Sequence, residues 1–193
     1  WDALMDIVEP YEYRSRLKLP KYILNSTGDE FFLPDSSQFY WEDLIGEKHL
    51  RYVPNSNHSM AATDIYDSAD AWYHSIVHNV KLPRYSWNLS EDGTITVFSL
   101  DKPEKVLLWQ AHNPETRNFT QEVIGKAYES FPLEETEPGI YKAKLDPPDT
   151  GFTAYYVEMH YPSGISTPFK FSTGVKIVPD ITDHIWEFKP DST

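Results

Sequence analysis

The sequence predicts an α/β segment over residues 1–82, an all-β, immunoglobulin-like sandwich over residues 83–180, and a tail over residues 181–193. Two observations predict this division. In the first part, short apolar runs alternate with segments of helical periodicity, as in parallel strands joined by helices. In the second part, short alternating runs are separated by turn residues with no helical period between them, which is typical of an antiparallel sandwich.

The first part has the order strand, helix, strand, helix. The predicted elements are a strand at 21–27, a helix from Asp35 or Ser36 to Gly46, a strand at 49–53 and an amphipathic helix at 61–79. The predicted apolar stripe of the last helix is Ile65, Ala69, Trp72, Ile76 and Val80. This order predicts parallel strands with crossover helices, but two strands cannot cover both of their own faces. We therefore expect most of the α/β domain to precede Trp1 or to come from another chain.

The second part shows five short runs of strand character, each bounded by Gly, Pro or Asp turns. These predicted strands are 94–100, 105–111, 140–145, 152–161 and 169–178. Their number and spacing are those of a single sandwich domain.

Composition excludes several classes of partner. The formal net charge of −13 repels phosphate backbones and anionic lipid, which argues against a nucleic-acid partner. The longest apolar runs fall short of the roughly 20 residues of a membrane span. No cofactor and no metal site are predicted: His74 and His78 are four residues apart on a helix but lack the Glu of a His-Glu-x-x-His motif.

Glycosylation signals indicate secretion. Asn-x-Ser/Thr occurs at Asn25, Asn57, Asn88 and Asn118. Such sequons are used in secreted proteins, and Asn25 is the weakest candidate because it falls in a predicted buried strand. An extracellular location is therefore expected.

Titratable residues follow both strands of the α/β segment. Asp29 and Glu30 follow the first strand, and His58 follows the second. Since the carboxyl ends of parallel strands meet at one edge of a sheet, these side chains should lie close together. A carboxylate and then a histidine, in that order, match the acid and the base of a hydrolase triad.

Two questions stay open at this point. Asp29 has the commoner side chain for the acid, whereas Glu30 stands at the usual offset before Pro34. Alternatively, both carboxylates are ordinary turn residues and His58 caps the helix that follows. The sequence contains no Gly-x-Ser-x-Gly elbow, so the chain alone is predicted to be inactive, because a triad without its nucleophile loses most of its rate.

These stretches resemble the family of PhoPQ-activated pathogenicity-related proteins, which includes the autocrine proliferation repressors of social amoebae. The resemblance runs from about Val8 to Pro179. It lies in residues 28–37, in residues 46–55 together with His58, and in Trp109-Gln110-Ala111, Asn113-Pro114 and Arg117-Asn118-Phe119. Where the family often shows Arg-Asp-Phe-Arg, this chain has Arg117-Asn118-Phe119-Thr120.

The resemblance implies a secreted, α/β-hydrolase-like domain, of which residues 1–82 would be the C-terminal part. Its serine nucleophile would lie upstream, and its acid and base would correspond to Asp29 (or Glu30) and His58. The expected function is a secreted serine hydrolase of peptidase or esterase type, acting on a peptide or an ester. The alternative is a non-enzymatic signalling or adhesion factor that binds a cell-surface receptor.

Overall fold

The computed structural model describes residues 2–181, so the predicted tail lies outside the described residues except for Ile181. The helices are α1 (Asp2–Val8), α2 (Ile65–His78) and α3 (Gln121–Ile124), with two 3-10 helices at Pro10–Arg16 and Ser36–Phe39. The strands are β1 (Lys21–Ser26), β2 (Lys48–Val53), β3 (Tyr85–Leu89), β4 (Ile95–Ser99), β5 (Lys105–Asn113), β6 (Glu129–Pro132), β7 (Glu135–Glu137), β8 (Ile140–Ala143), β9 (Phe152–Tyr161), β10 (Phe169–Ser172) and β11 (Lys176–Val178).

The strands form three sheets. Strands β1 and β2 pair in parallel, with Lys21 opposite Lys48 and Ser26 opposite Val53. Four strands pair antiparallel in the order β3-β4-β8-β7. Five more are antiparallel in the order β10-β9-β5-β6, with β11 also paired to β9.

The two antiparallel sheets share one core, as in a β-sandwich. Val97 on β4 and Tyr141 on β8 come from one sheet, and Val157 and Met159 on β9 come from the other. All four are buried. Every strand predicted for this part of the chain is present, although 169–178 forms two strands and not one.

A second core covers the opposite face of the five-stranded sheet. Leu50 and Tyr52 of β2 pack there with Tyr156 of β9 and Ile177 of β11, and all four are 2% exposed or less. Strand β9 is therefore buried on both faces over most of its length. The parallel pair lies against the antiparallel sheet and is held to it by the Tyr52 amide, which donates to Ser172 Oγ at 2.9 Å.

The predicted fold class is wrong. Strand outweighs helix in the described residues, which form three sheets, and residues 2–82 form no segment of the α/β-hydrolase type. A fold of that type has a parallel sheet covered by helices on both faces. Here the parallel sheet has two strands among the described residues, and part of its cover is the antiparallel sheet that follows in sequence.

Local pattern also misjudged the helices. The helix predicted between residues 35 and 46 is a single 3-10 turn at Ser36–Phe39. Helix α2 is present as predicted, but it buries its small residues Ser68, Ala71 and Ser75, while Ile76 of the predicted apolar stripe is 52% exposed. Small side chains let the helix approach the sheets closely. No helix in the described part of the chain is long and apolar enough to cross a membrane.

The predicted boundary near residue 82 remains a prediction. Tyr22 and Trp72, which precede it, pack against the same core as Tyr85 and Phe171, which follow it. The rings of Tyr22 and Tyr85 both contact Phe171, with centroids 5.5 and 5.4 Å away. The two parts of the chain thus share a buried interface.

We predict that Phe171→Ala destabilises the whole chain by about 3–5 kcal/mol, because Phe171 is 1% exposed and fills the junction of both parts. The control is Phe131→Ala in β6 of the same sheet, where the ring is 43% exposed. The control should cost about 1 kcal/mol or less. Urea denaturation measures both, and equal losses would show that the junction is not a stabilising core.

Candidate active site

The site lies where β1 and β2 end. Because the strands are parallel and Ser26 pairs with Val53, the segments after them leave the same edge of the sheet. The Gly28 amide donates to the Ser56 carbonyl at 3.0 Å, and the Thr27 amide donates to the Val53 carbonyl at 3.1 Å. These bonds hold the two loops side by side.

Gly28 is required by a close approach of three segments. A Cβ at this position would stand 2.8 Å from the Ser56 carbonyl oxygen and 2.9 Å from the Gln121 nitrogen, closer than such contacts allow. Only a residue without a Cβ lets the backbone pass here. The turn after Gly28 then places Asp29 at the loop edge.

Asp29 and His58 form the central contact of the site. His58 Nδ1 is 3.0 Å from Asp29 Oδ2, and Asp29 is 6% exposed, whereas the His58 side chain is 49% exposed. A carboxylate only accepts hydrogen bonds, so the imidazole proton is assigned to Nδ1. In the described structure no protein group bonds to Nε2, which leaves its lone pair free to accept a proton.

The second oxygen of Asp29 fixes its own turn. Asp29 Oδ1 accepts the Phe31 amide at 2.8 Å and the Phe32 amide at 3.2 Å. This is the local hydrogen bonding expected of a turn aspartate. Asp29 therefore has both of the roles that the sequence left open: one oxygen serves the turn and the other orients the imidazole.

Glu30 makes a different contact. Its Oε2 accepts the backbone amide of His58 at 3.1 Å and does not meet the imidazole ring. Helix α2 begins at Ile65, so His58 does not cap it. Of the two carboxylates considered from sequence, Asp29 is the one that touches the ring.

Two exposed aromatic rings flank the histidine. The Phe31 ring lies edge-on to the imidazole at 4.9 Å, and the Phe32 ring is tilted at 6.0 Å. They are 71% and 61% exposed. The free nitrogen of His58 thus lies in a partly apolar surface.

The loop between β5 and β6 ties both site loops to the sandwich. The Gln121 amide donates to the Gly28 carbonyl at 3.0 Å. Asn55 forms two hydrogen bonds with the Tyr128 backbone, each of 2.9 Å. Asn55 lies in the left-handed region at φ 55°, a conformation that Asn tolerates better than most residues.

Arg117 anchors the same loop to the segment that follows Asp29. Its Nη2 is 2.6 Å from Asp35 Oδ2, and Asp35 is 5% exposed. Tyr128 is also buried, and burial raises the pKa of its phenol, which keeps the group neutral. The sequence holds no local signal for this ion pair, because 82 residues separate Arg117 from Asp35.

The two helical histidines form no larger cluster. The rings of His74 and His78 lie 4.4 Å apart on α2. Across residues 2–181, no group of three or more His, Asp or Glu side chains is arranged to hold a metal ion.

Fold and site together define a mostly-β protein with an Asp-His pair at the joined ends of two parallel strands. A model of the family described as PhoPQ-activated pathogenicity-related protein matches residues 1–120, which include the pair and Arg117. The chain belongs to the PhoPQ-activated pathogenicity-related protein family.

A curated relative supports this membership. Autocrine proliferation repressor protein A of Dictyostelium discoideum is 34% identical over 204 aligned residues, covering 92% of this chain. The chain spans 41% of that relative's length. No solved structure matches the chain.

We predict that Asp29 and the His58 imidazole are energetically coupled, whereas Glu30 and the imidazole are not. A double-mutant cycle of Asp29→Ala and His58→Ala should give a coupling free energy of about 0.5–1 kcal/mol, since the ring is half exposed. The cycle of Glu30→Ala and His58→Ala should give about zero, because the backbone amide that donates to Glu30 is still present after His58→Ala. Equal couplings in urea unfolding would contradict this assignment.

Proposed function

We propose that Asp29 and His58 are the acid and the base of a serine-type hydrolase site whose nucleophile comes from outside this sequence. The observation that carries the proposal is the 3.0 Å contact between a buried carboxylate and a half-exposed imidazole with a free Nε2. That arrangement is the acid-base half of a triad. The nucleophile would come from a preceding part of a longer protein or from another chain.

The chemistry would follow from the assigned tautomer. Nε2 would take the proton of a serine hydroxyl as its oxygen attacks an ester or amide carbonyl, and the imidazolium would then return that proton to the leaving group. Asp29, held by two backbone amides, would keep the ring oriented and stabilise its positive charge. Water would release the acyl group by the same steps in reverse.

The two serines that line the cavity with the pair do not supply the missing group. Ser26 and Ser36 line the same cavity as His58, but neither hydrogen-bonds the imidazole in the described structure. The Ser26 hydroxyl is buried and donates to the Ser56 carbonyl. Without a strand-to-helix elbow, these hydroxyls lack the exposure that a nucleophile needs.

We predict that the 193-residue chain does not hydrolyse p-nitrophenyl acetate above a matched imidazole control, whereas a longer protein that supplies the serine does. In that protein, His58→Ala should lower kcat/KM at least about 10³-fold, because the base is removed. Glu30→Gln should change it less than about fivefold, since Glu30 does not touch the ring.

The matched control is His78→Ala, which removes an exposed histidine from α2. Its kcat/KM should equal that of the unaltered protein. If His58→Ala also retained full activity, His58 would not be the base.

Secretion is a further part of the proposal. Asn57, Asn88 and Asn118 are exposed, which supports their use as glycan acceptors, whereas Asn25 is half-buried and donates to Tyr40 at 2.9 Å. Protein secreted from eukaryotic cells should carry glycans at Asn88 or Asn118 and none at Asn25. Glycopeptide mass spectrometry that finds every sequon bare would contradict their use as glycan acceptors.

The name of the relative favours a second candidate, a non-enzymatic signalling or adhesion factor. An autocrine repressor acts on the cells that release it, and such a factor would need a cell-surface receptor. Adding the unaltered and His58→Ala proteins to dividing cells separates the two candidates. Equal slowing of proliferation would favour signalling without catalysis, and loss in the variant would favour the hydrolase.

A further inference from the structure

We infer that the cavity beside His58 is a binding subsite for one short, uncharged group of the substrate, such as a small acyl chain or an apolar side chain next to the cleaved bond. The inference deepens the proposed function and rests on it for the identity of the substrate. The cavity itself is a feature of the described residues.

The cavity opens at the catalytic pair. It has a volume of about 170 Å³, and both Asp29 and His58 line it. Cavities for drug-sized ligands measure roughly 300–1,000 Å³. The space beside His58 therefore suits one side chain or a short acyl group and not a whole ligand.

Four of its nine lining residues are apolar. Leu24, Phe32, Leu33 and Met60 line it, and Phe32 also lies against the imidazole ring. Phe32 and Leu33 are 61% and 53% exposed, so burying them under a ligand would remove apolar surface from water. An apolar substituent of the substrate would gain this free energy while the substrate's carbonyl lay near Nε2.

The remaining wall is polar but uncharged except for Asp29. The oxygens of Asp29 are already bonded to His58 and to two backbone amides, so they would not pair with an incoming cation. An anionic group would meet no cationic side chain in the lining unless His58 itself were protonated. A charged group would therefore lose its hydration without a partner, which excludes it.

Asn25, Ser26 and Ser36 form the neutral polar part of the wall. Asn25 Nδ2 donates to Tyr40 Oη at 2.9 Å, which fixes the carboxamide. The cavity thus combines these neutral polar groups with the four apolar side chains, as small-molecule sites do.

Three isosteric probes test the charge requirement without any catalysis. Benzamide, benzoate and benzamidinium have the same size and shape but are neutral, anionic and cationic. Each is titrated into the 193-residue chain, and the backbone amide resonances of Phe32, Leu33, His58 and Met60 are followed by NMR. Benzamide should shift them saturably, and the two ions should bind at least about fivefold more weakly, a ratio that corresponds to roughly 1 kcal/mol.

Two matched variants test the location. Phe32→Ala should weaken benzamide at least about fivefold because it removes a wall, and it should still fold since the ring is largely exposed. Phe39→Ala removes an equally exposed ring, 74% exposed, that does not line the cavity, and should leave the affinity unchanged. The inference is overturned if benzamide shifts none of these resonances, if all three probes bind alike, or if Phe32→Ala binds like the unaltered chain.

The outcome is separable from that of the proposed function. If the 193-residue chain binds benzamide but a longer protein hydrolyses no ester, the subsite is supported and the hydrolase proposal is contradicted. If hydrolysis depends on His58 but benzamide does not bind, the hydrolase proposal is supported and the subsite is contradicted.

Discussion

The burial of β9 on both faces is the constraint on which the rest of the structure depends. A strand in that position needs apolar cover from two directions, and one sandwich core supplies only one of them. The other cover is β2 with the residues around it, which pack Leu50 and Tyr52 onto Tyr156. Consequently the parallel pair is not free to slide, and the edge at which β1 and β2 end has a fixed position relative to the sandwich.

The site depends on that fixed edge. The loop between β5 and β6 contacts both loops of the site, through Gly28 after β1 and through Asn55 after β2. Arg117 of the same loop holds the segment after Asp29. The separation of the carboxylate and the imidazole is therefore set by the sandwich as well as by the strands that carry them. This gives a physical reason for a sandwich beside the Asp29–His58 pair: the sandwich supports the geometry that orients the ring. Buried polar contacts of this kind are also costly to leave half-made, so they favour one arrangement over many.

Sequence reasoning identified helix α2, the meeting of Asp29 with His58 and the strands other than β3, β6 and β7, because each rests on local pattern or on the geometry of neighbouring parallel strands. It failed on the fold class, since strand-helix-strand order says nothing about which distant sheet will cover the pair. It also placed a helix after β1 where the chain makes one 3-10 turn. On α2 it favoured the large apolar side chains, whereas close packing selected Ser68, Ala71 and Ser75. Local pattern could not predict the partner of Arg117, because 82 residues separate Arg117 from Asp35.

The tautomer of His58 tests the central claim most directly. Nitrogen-15 NMR of the neutral imidazole reports which ring nitrogen carries the proton. We expect Nδ1 to carry it in the unaltered chain and in Glu30→Gln. In Asp29→Asn the proton should move to Nε2, because the amide donates to Nδ1 where the carboxylate accepted from it. An Nε2 proton in the unaltered chain, or the same tautomer in Asp29→Asn, would show that Asp29 does not orient the ring and would remove the basis for a base at His58.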